Sequence, residues 1–103
     1  MAAPPYSLQF TDTANAVLDD LESDKNLRVK AKKVKKALRN LSQIGPRHPG
    51  LKTHKYSTIP GPSPTGLYQS YVENRTPRAW RIWWVFGPIE DEITIMNIGP
   101  HPD

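Results

Sequence analysis

The sequence has no cysteine. Disulfides and thiolate metal sites are therefore excluded, and nothing points to an oxidising compartment. It also lacks any apolar run long enough to cross a bilayer. The opening stretch MAAPPYSLQF has neither the basic start nor the apolar segment of a signal peptide. A soluble cytoplasmic protein with no membrane partner is the expectation. Charge of one sign is missing over whole segments. Residues 1–24 hold five acids and no Lys or Arg, whereas residues 25–55 hold eleven Lys or Arg and no acid. The net charge of +4 conceals this segregation. A wholly basic middle third creates a positive field suited to phosphate-rich polymers or an acidic protein. The length of 103 residues fits one domain, 1–103, with one modest core.

The residues that are present sort into a short series of elements. YSLQF, residues 6–10, reads as a strand, and Thr11 or Asp12 as the cap of a helix. Ala14, Val17, Leu18 and Leu21 form one apolar helical stripe, with Asp19, Asp20 and Glu22 off it. After the turn SDKN, the stretch LRVKAKKVKKALRNLSQI carries Leu27, Ala31, Val34, Leu38 and Leu41 at alternating spacings of four and three. This is a second amphipathic helix, ended by Gly45 and Pro46. Residues 45–66 hold four of the six glycines and five of the eleven prolines. They read as a long loop with a short extended piece at LKTHKYSTI. GLYQSYVE, AWRIWWVF and EITIMNI then read as three strands joined by the turns NRTPR and GPIED. The expected fold is α+β, in the order β-α-α-β-β-β. A helical hairpin packs on one face of a mainly antiparallel sheet.

Strand alternation places Trp80, Ile82, Trp84 and Phe86 on one face, against the hairpin. Arg81 and Trp83 then point to the opposite, open face, which spares an unpaired charge from burial. Three histidines are available: His48 and His54 in the basic loop RHPGLKTHKY, and His101 in NIGPHPD. Pro100 and Pro102 restrict the backbone around His101. No cluster at metal-ligand spacing occurs, so no cofactor is expected. The inventory suits RNA cleavage through the 2′-hydroxyl. Histidines supply proton transfer near neutrality, Arg and Lys stabilise the phosphorane, and Trp83 or Tyr71 stacks on a base. Plainer readings stand beside this one. Arg81 pairs with Glu73 or Glu92 across strands, the basic helix is a solvated face, and His101 closes the terminus.

Taken together, RHPGLKTHKY, SYVENRTPRAWRIWWVFGP and ITIMNIGPHPD resemble the RelE/ParE superfamily of bacterial toxins of type II toxin–antitoxin systems. The likeness runs from about Tyr6 to Asp103. It implies a RelE-like fold with Arg81 stabilising the scissile phosphate and His101 in proton transfer. His48 occupies the place where some members carry a catalytic histidine. Lys52, His54 and Lys55 lie where others hold RNA, and Glu73 is a base candidate at a shifted position. Lys32 and Lys36 of the basic helix, with Arg78, complete the implied RNA-binding set. Members that end in His-Tyr differ from this chain, where Pro102 follows His101. The implied function is a ribosome-dependent mRNA interferase whose partners are ribosome, mRNA and a cognate antitoxin. A gyrase inhibitor of the ParE type and a non-catalytic nucleic-acid-binding module are the alternatives. Oligomeric state and codon preference stay open.

Overall fold

Thr11 begins the helical hairpin by turning extended and accepting the Ala14 N–H on its hydroxyl, at 3.1 Å. A computed structural model of the chain describes residues 5–56 and 66–101. Strand β1 (Ser7–Phe10) leads into helix α1 (Asp12–Ser23). Asp24 caps a single 3₁₀ turn, Lys25–Leu27, by accepting the Asn26 N–H, and helix α2 (Arg28–Gln43) follows. Ala31, Val34, Ala37, Leu38 and Leu41 line the buried side of α2, as the sequence spacing requires. Leu27 sits in the 3₁₀ turn and is only half-buried. Gly45 follows α2 with φ of 103°, and a Cβ there would lie 3.0 Å from the Tyr6 ring. Both the turn and the close approach therefore require glycine.

The sheet has five strands in the order β1-β5-β4-β3-β2, one more than expected. The additional strand is β2 (His54–Lys55), a two-residue edge pairing with β3 (Tyr68–Tyr71). It falls inside the extended piece expected in the proline-rich loop, and residues 57–65 of that loop lie outside the described residues. Strands β4 (Trp80–Phe86) and β5 (Glu92–Pro100) complete the antiparallel part, and β1 adds to β5 in parallel. The hairpin covers one face. Ile82 and Trp84 join Ile93, Ile95 and Ile98 in a core with Ala14, Leu21, Val34, Leu38 and Leu41. Trp80 and Phe86 pack against its margin. The fully buried Trp84 donates its indole N–H to Ser70 Oγ, at 2.8 Å, so its polar edge is satisfied.

One irregularity decides what the opposite face holds. Trp83 pairs with Asn97 but Trp84 pairs with Ile95, so Met96 is an extra residue on β5. Ile93 and Ile95 face the core, and the inserted residue then passes the core side to Ile98. Asn97, Gly99 and His101 are thereby moved to the opposite face, beside Arg81 and Trp83. The Asn97 side chain accepts the Ile98 N–H at 2.9 Å and secures this step.

Candidate active site

Arg81 stands at the centre of the face away from the helices, with Tyr71 opposite it on β3 and Gly99 on β5. It is 9% exposed, so the expectation of an open position is corrected. Its charge is accommodated by neutral partners. Nη1 donates to the Glu73 carbonyl at 2.6 Å and the Trp80 carbonyl at 3.1 Å. The guanidinium lies 3.6 Å from the centre of the Tyr71 ring, a cation–π contact. Nε is buried and has no hydrogen-bond partner among the described residues. The cross-strand pairing expected with the Glu73 or Glu92 carboxylate does not form: Glu73 offers its backbone, and Gln9 donates to Glu92. Arg81 is thus a buried cation without a counter-ion among the described residues, a costly arrangement unless an anion arrives.

Two histidines share this face. The ring of His54 packs edge-on to Tyr71, with centroids 6.0 Å apart. Its Nδ1 lies 2.9 Å from the Lys52 carbonyl and its Nε2 lies 3.3 Å from the Gln69 amide nitrogen. Gln69 is buried and accepts the Trp83 indole N–H on Oε1, at 3.1 Å. At the end of β5, the His101 backbone N–H donates to the Ala79 carbonyl at 3.0 Å. The His101 ring lies edge-on to Tyr56, which is itself edge-on to Trp83. Pro102, the second proline expected to hold His101, lies outside the described residues. Trp83, expected to stack on a base, is 9% exposed and engaged by these partners. The exposed aromatic here is Tyr56, which strand alternation alone did not single out. Tyr71 is likewise engaged through its ring by Arg81. Gln69 shares the Tyr71 face by alternation, and its link to His54 follows from the β2–β3 register.

His48 lies elsewhere. It caps the 3₁₀ turn Pro49–Leu51 after α2, accepting the Gly50 N–H on Nδ1 at 3.0 Å. It borders a cleft of about 400 Å³ between α2 and the β3–β4 turn, with Lys36, Asn40, Tyr71 and Glu73. Tyr71 separates that cleft from Arg81. Glu73 is committed to structure. It accepts from Lys30 at 2.6 Å, Lys33 at 3.2 Å and the Trp80 N–H at 3.1 Å. Burial alone raises its pKa, but the Lys30, Trp80 and Lys33 hydrogen bonds and the Lys30 charge together hold it below the usual value. A carboxylate so stabilised is a poor base. Lys52 and Lys55 are exposed around β2, and Arg78 is exposed in the β3–β4 turn. Lys32 borders a separate cleft beside Glu22 and Asp24, away from the histidines.

No protein-family model and no curated protein matches the sequence. Solved structures do. The YoeB–YefM toxin–antitoxin complex from Staphylococcus aureus matches at a TM-score of 0.65 and 14% identity, over 94% of this chain and 98% of that one. A YoeB/ParE toxin from Agrobacterium tumefaciens matches at 0.67 and 9%, over 93% and 99%. The archaeal RelE–RelB complex from Pyrococcus horikoshii matches at 0.61 and 13%, over 93% and 94%. The resemblance to RelE/ParE toxins expected from the residues is borne out as a shared fold, over nearly the whole chain.

Proposed function

We propose that this chain is the toxin of a type II toxin–antitoxin pair and that it is an endoribonuclease cleaving mRNA in the ribosomal A site. The observation that carries the reading is Arg81: a buried guanidinium, held by neutral carbonyls, with an Nε–H unsatisfied among the described residues, on the face shared with His54 and His101. A phosphate oxygen at Nε supplies an acceptor and a counter-charge that none of the described residues provides. As negative charge builds on the phosphorane, that preorganised cation stabilises it. His54 takes the proton of the 2′-hydroxyl, the 2′-oxygen attacks phosphorus, and the P–O5′ bond breaks. His101 gives the departing 5′-oxygen its proton. The products are a 2′,3′-cyclic phosphate and a 5′-hydroxyl. Tyr56 stacks on an unpaired base, and Lys52, Lys55 and Arg78 hold phosphates along the rim. Lys36 and His48, across Tyr71, meet RNA beyond the scissile step. Lys32 contributes to the positive field at longer range. The YefM partner of the neighbour supports a cognate antitoxin for this chain.

Induction in a tolerant host, followed by mapping of mRNA 5′ ends, tests the proposal. Discrete new ends are expected with the unaltered chain and are lost in His101→Ala and Arg81→Ala. Growth arrest with DNA damage and no RNA cuts would contradict it and favour gyrase as the target.

A further inference from the structure

The hydrogen bonds around His54 run in one direction. The Lys52 carbonyl can only accept, so the His54 Nδ1 facing it at 2.9 Å carries a proton. The indole N–H of Trp83 can only donate, so the Gln69 atom facing it at 3.1 Å is the amide oxygen. The other end of the amide is then an NH₂ group, and it faces His54 Nε2 at 3.3 Å. A donor at that position requires a lone pair on Nε2. Gln69 is 2% exposed, so its amide is shielded from water although the His54 ring on the edge strand is exposed.

We infer that Gln69 is a positioning residue that, held by the indole of Trp83, locks His54 in the neutral form with its proton on Nδ1 and its Nε2 lone pair presented for proton abstraction. Protonating Nε2 would set N–H against N–H. Relief would need an amide flip, which would then oppose the Trp83 N–H. The lock is therefore set by a donor-only group two strands away from β2. Among the described residues, the charged groups around His54 are all basic. Lys52 and Lys55 flank it on its own segment, and Arg81 lies behind the Tyr71 ring that His54 packs against. The long Gln69 contact is the one given up when a substrate hydroxyl becomes the donor to Nε2. The catalytic consequence rests on the nuclease reading above, whereas the lock follows from hydrogen-bond polarity alone.

The test uses the full chain, unaltered and as Gln69→Glu and Trp83→Phe. Long-range nitrogen–proton NMR of the imidazole rings identifies where the proton sits. In the unaltered chain the expected state of His54 is neutral with the proton on Nδ1. The carboxylate of Gln69→Glu accepts from both neighbours, so His54 keeps its second proton to a pH higher by about one unit or more. The acid limb of the cleavage rate moves with it, a loss of about tenfold at a fixed pH on that limb. In Trp83→Phe the amide is free to turn, and a proton on Nε2 becomes detectable. A proton on Nε2 in the unaltered chain, or an unmoved His54 titration in Gln69→Glu, overturns the lock. Should Gln69→Glu fail to fold, the tautomer in the unaltered chain and in Trp83→Phe decides alone. A chain that shows the lock but never cuts RNA contradicts the nuclease reading and leaves the lock standing. Cleavage whose acid limb ignores Gln69→Glu overturns the positioning role.

Discussion

Arg81 sits where a hydrophobic residue would be cheaper. Its guanidinium has two carbonyl acceptors, one aromatic face and an Nε–H with no acceptor among the described residues. Replacing such a buried charge by an apolar side chain of similar length is often neutral or stabilising. Arg81→Met is therefore expected to melt at or above the temperature of the unaltered chain in calorimetry. Its cleavage rate should fall by about two to three orders of magnitude, as when a transition-state donor is removed. A lower melting temperature with retained cleavage would mark Arg81 as structural. Alternation put Arg81 and Trp83 on the right face, and three residue types suggested the chemistry. Their burial was not legible. It depends on Tyr71, Gln69 and Tyr56 closing over them, and those contacts follow from strand register and side-chain packing rather than from spacing along one strand.

At the scale of elements, Glu73 and Met96 carry the most weight. Glu73 ties the end of β3 to Lys30 and Lys33 of α2, so the sheet and the basic helix are fastened at one carboxylate. Its pKa is lowered on folding, so its stabilising contribution is present above the ordinary carboxylate value near 4.5 and is lost as pH falls through the lower folded value. The melting temperature of Glu73→Gln should lie below that of the unaltered chain at neutral pH, and the gap should close in acid. A gap independent of pH would contradict the ion-pair account. Both helices and the three main strands were readable from periodicity, and the capping of α1 by Thr11 from its residue type. The bulge was not. Counting by twos along EITIMNIGPH puts residues 93, 95, 97, 99 and 101 on one face, and only Met96 breaks the count. Deleting Met96 is expected to remove the bulge while keeping Trp84 opposite Ile95 and Trp83 opposite Asn97, so Ile98 stays in the core and His101 on the open face. The cost is about 0.5–1.5 kcal/mol by denaturant titration, for the Thr11 hydroxyl that loses the Met96 carbonyl, and cleavage is retained; loss of cleavage would contradict Met96 as the extra residue.

For the whole molecule, charge segregation and fold act together. The acidic stretch forms α1 and the basic stretch forms α2, and Lys35 pairs with Glu22 between them. The remaining positive charge follows the chain through the loop to Lys52 and Lys55 at the sheet edge, near His54. Binding to an RNA strand should weaken with salt. Replacing Lys52 and Lys55 by Ala should reduce the log–log salt slope by ~1.4, at about 0.7 per phosphate contact on a single strand. An unchanged slope would take these lysines out of the RNA path. Sequence order gave the architecture because two amphipathic helices and three strands leave few ways to cover one sheet face. The fifth strand escaped because a two-residue edge exists only through its pairing with β3. The central claim is that the face bearing Arg81, His54 and His101 cleaves RNA through its own 2′-hydroxyl. The most direct test programs ribosomes with an mRNA carrying a single 2′-deoxynucleotide at the scissile position. The account predicts cleavage of the all-ribose message, a 2′,3′-cyclic phosphate at the new end, and no cut at the deoxy position. Cleavage at the deoxy position, or a new end without the cyclic phosphate, would contradict it.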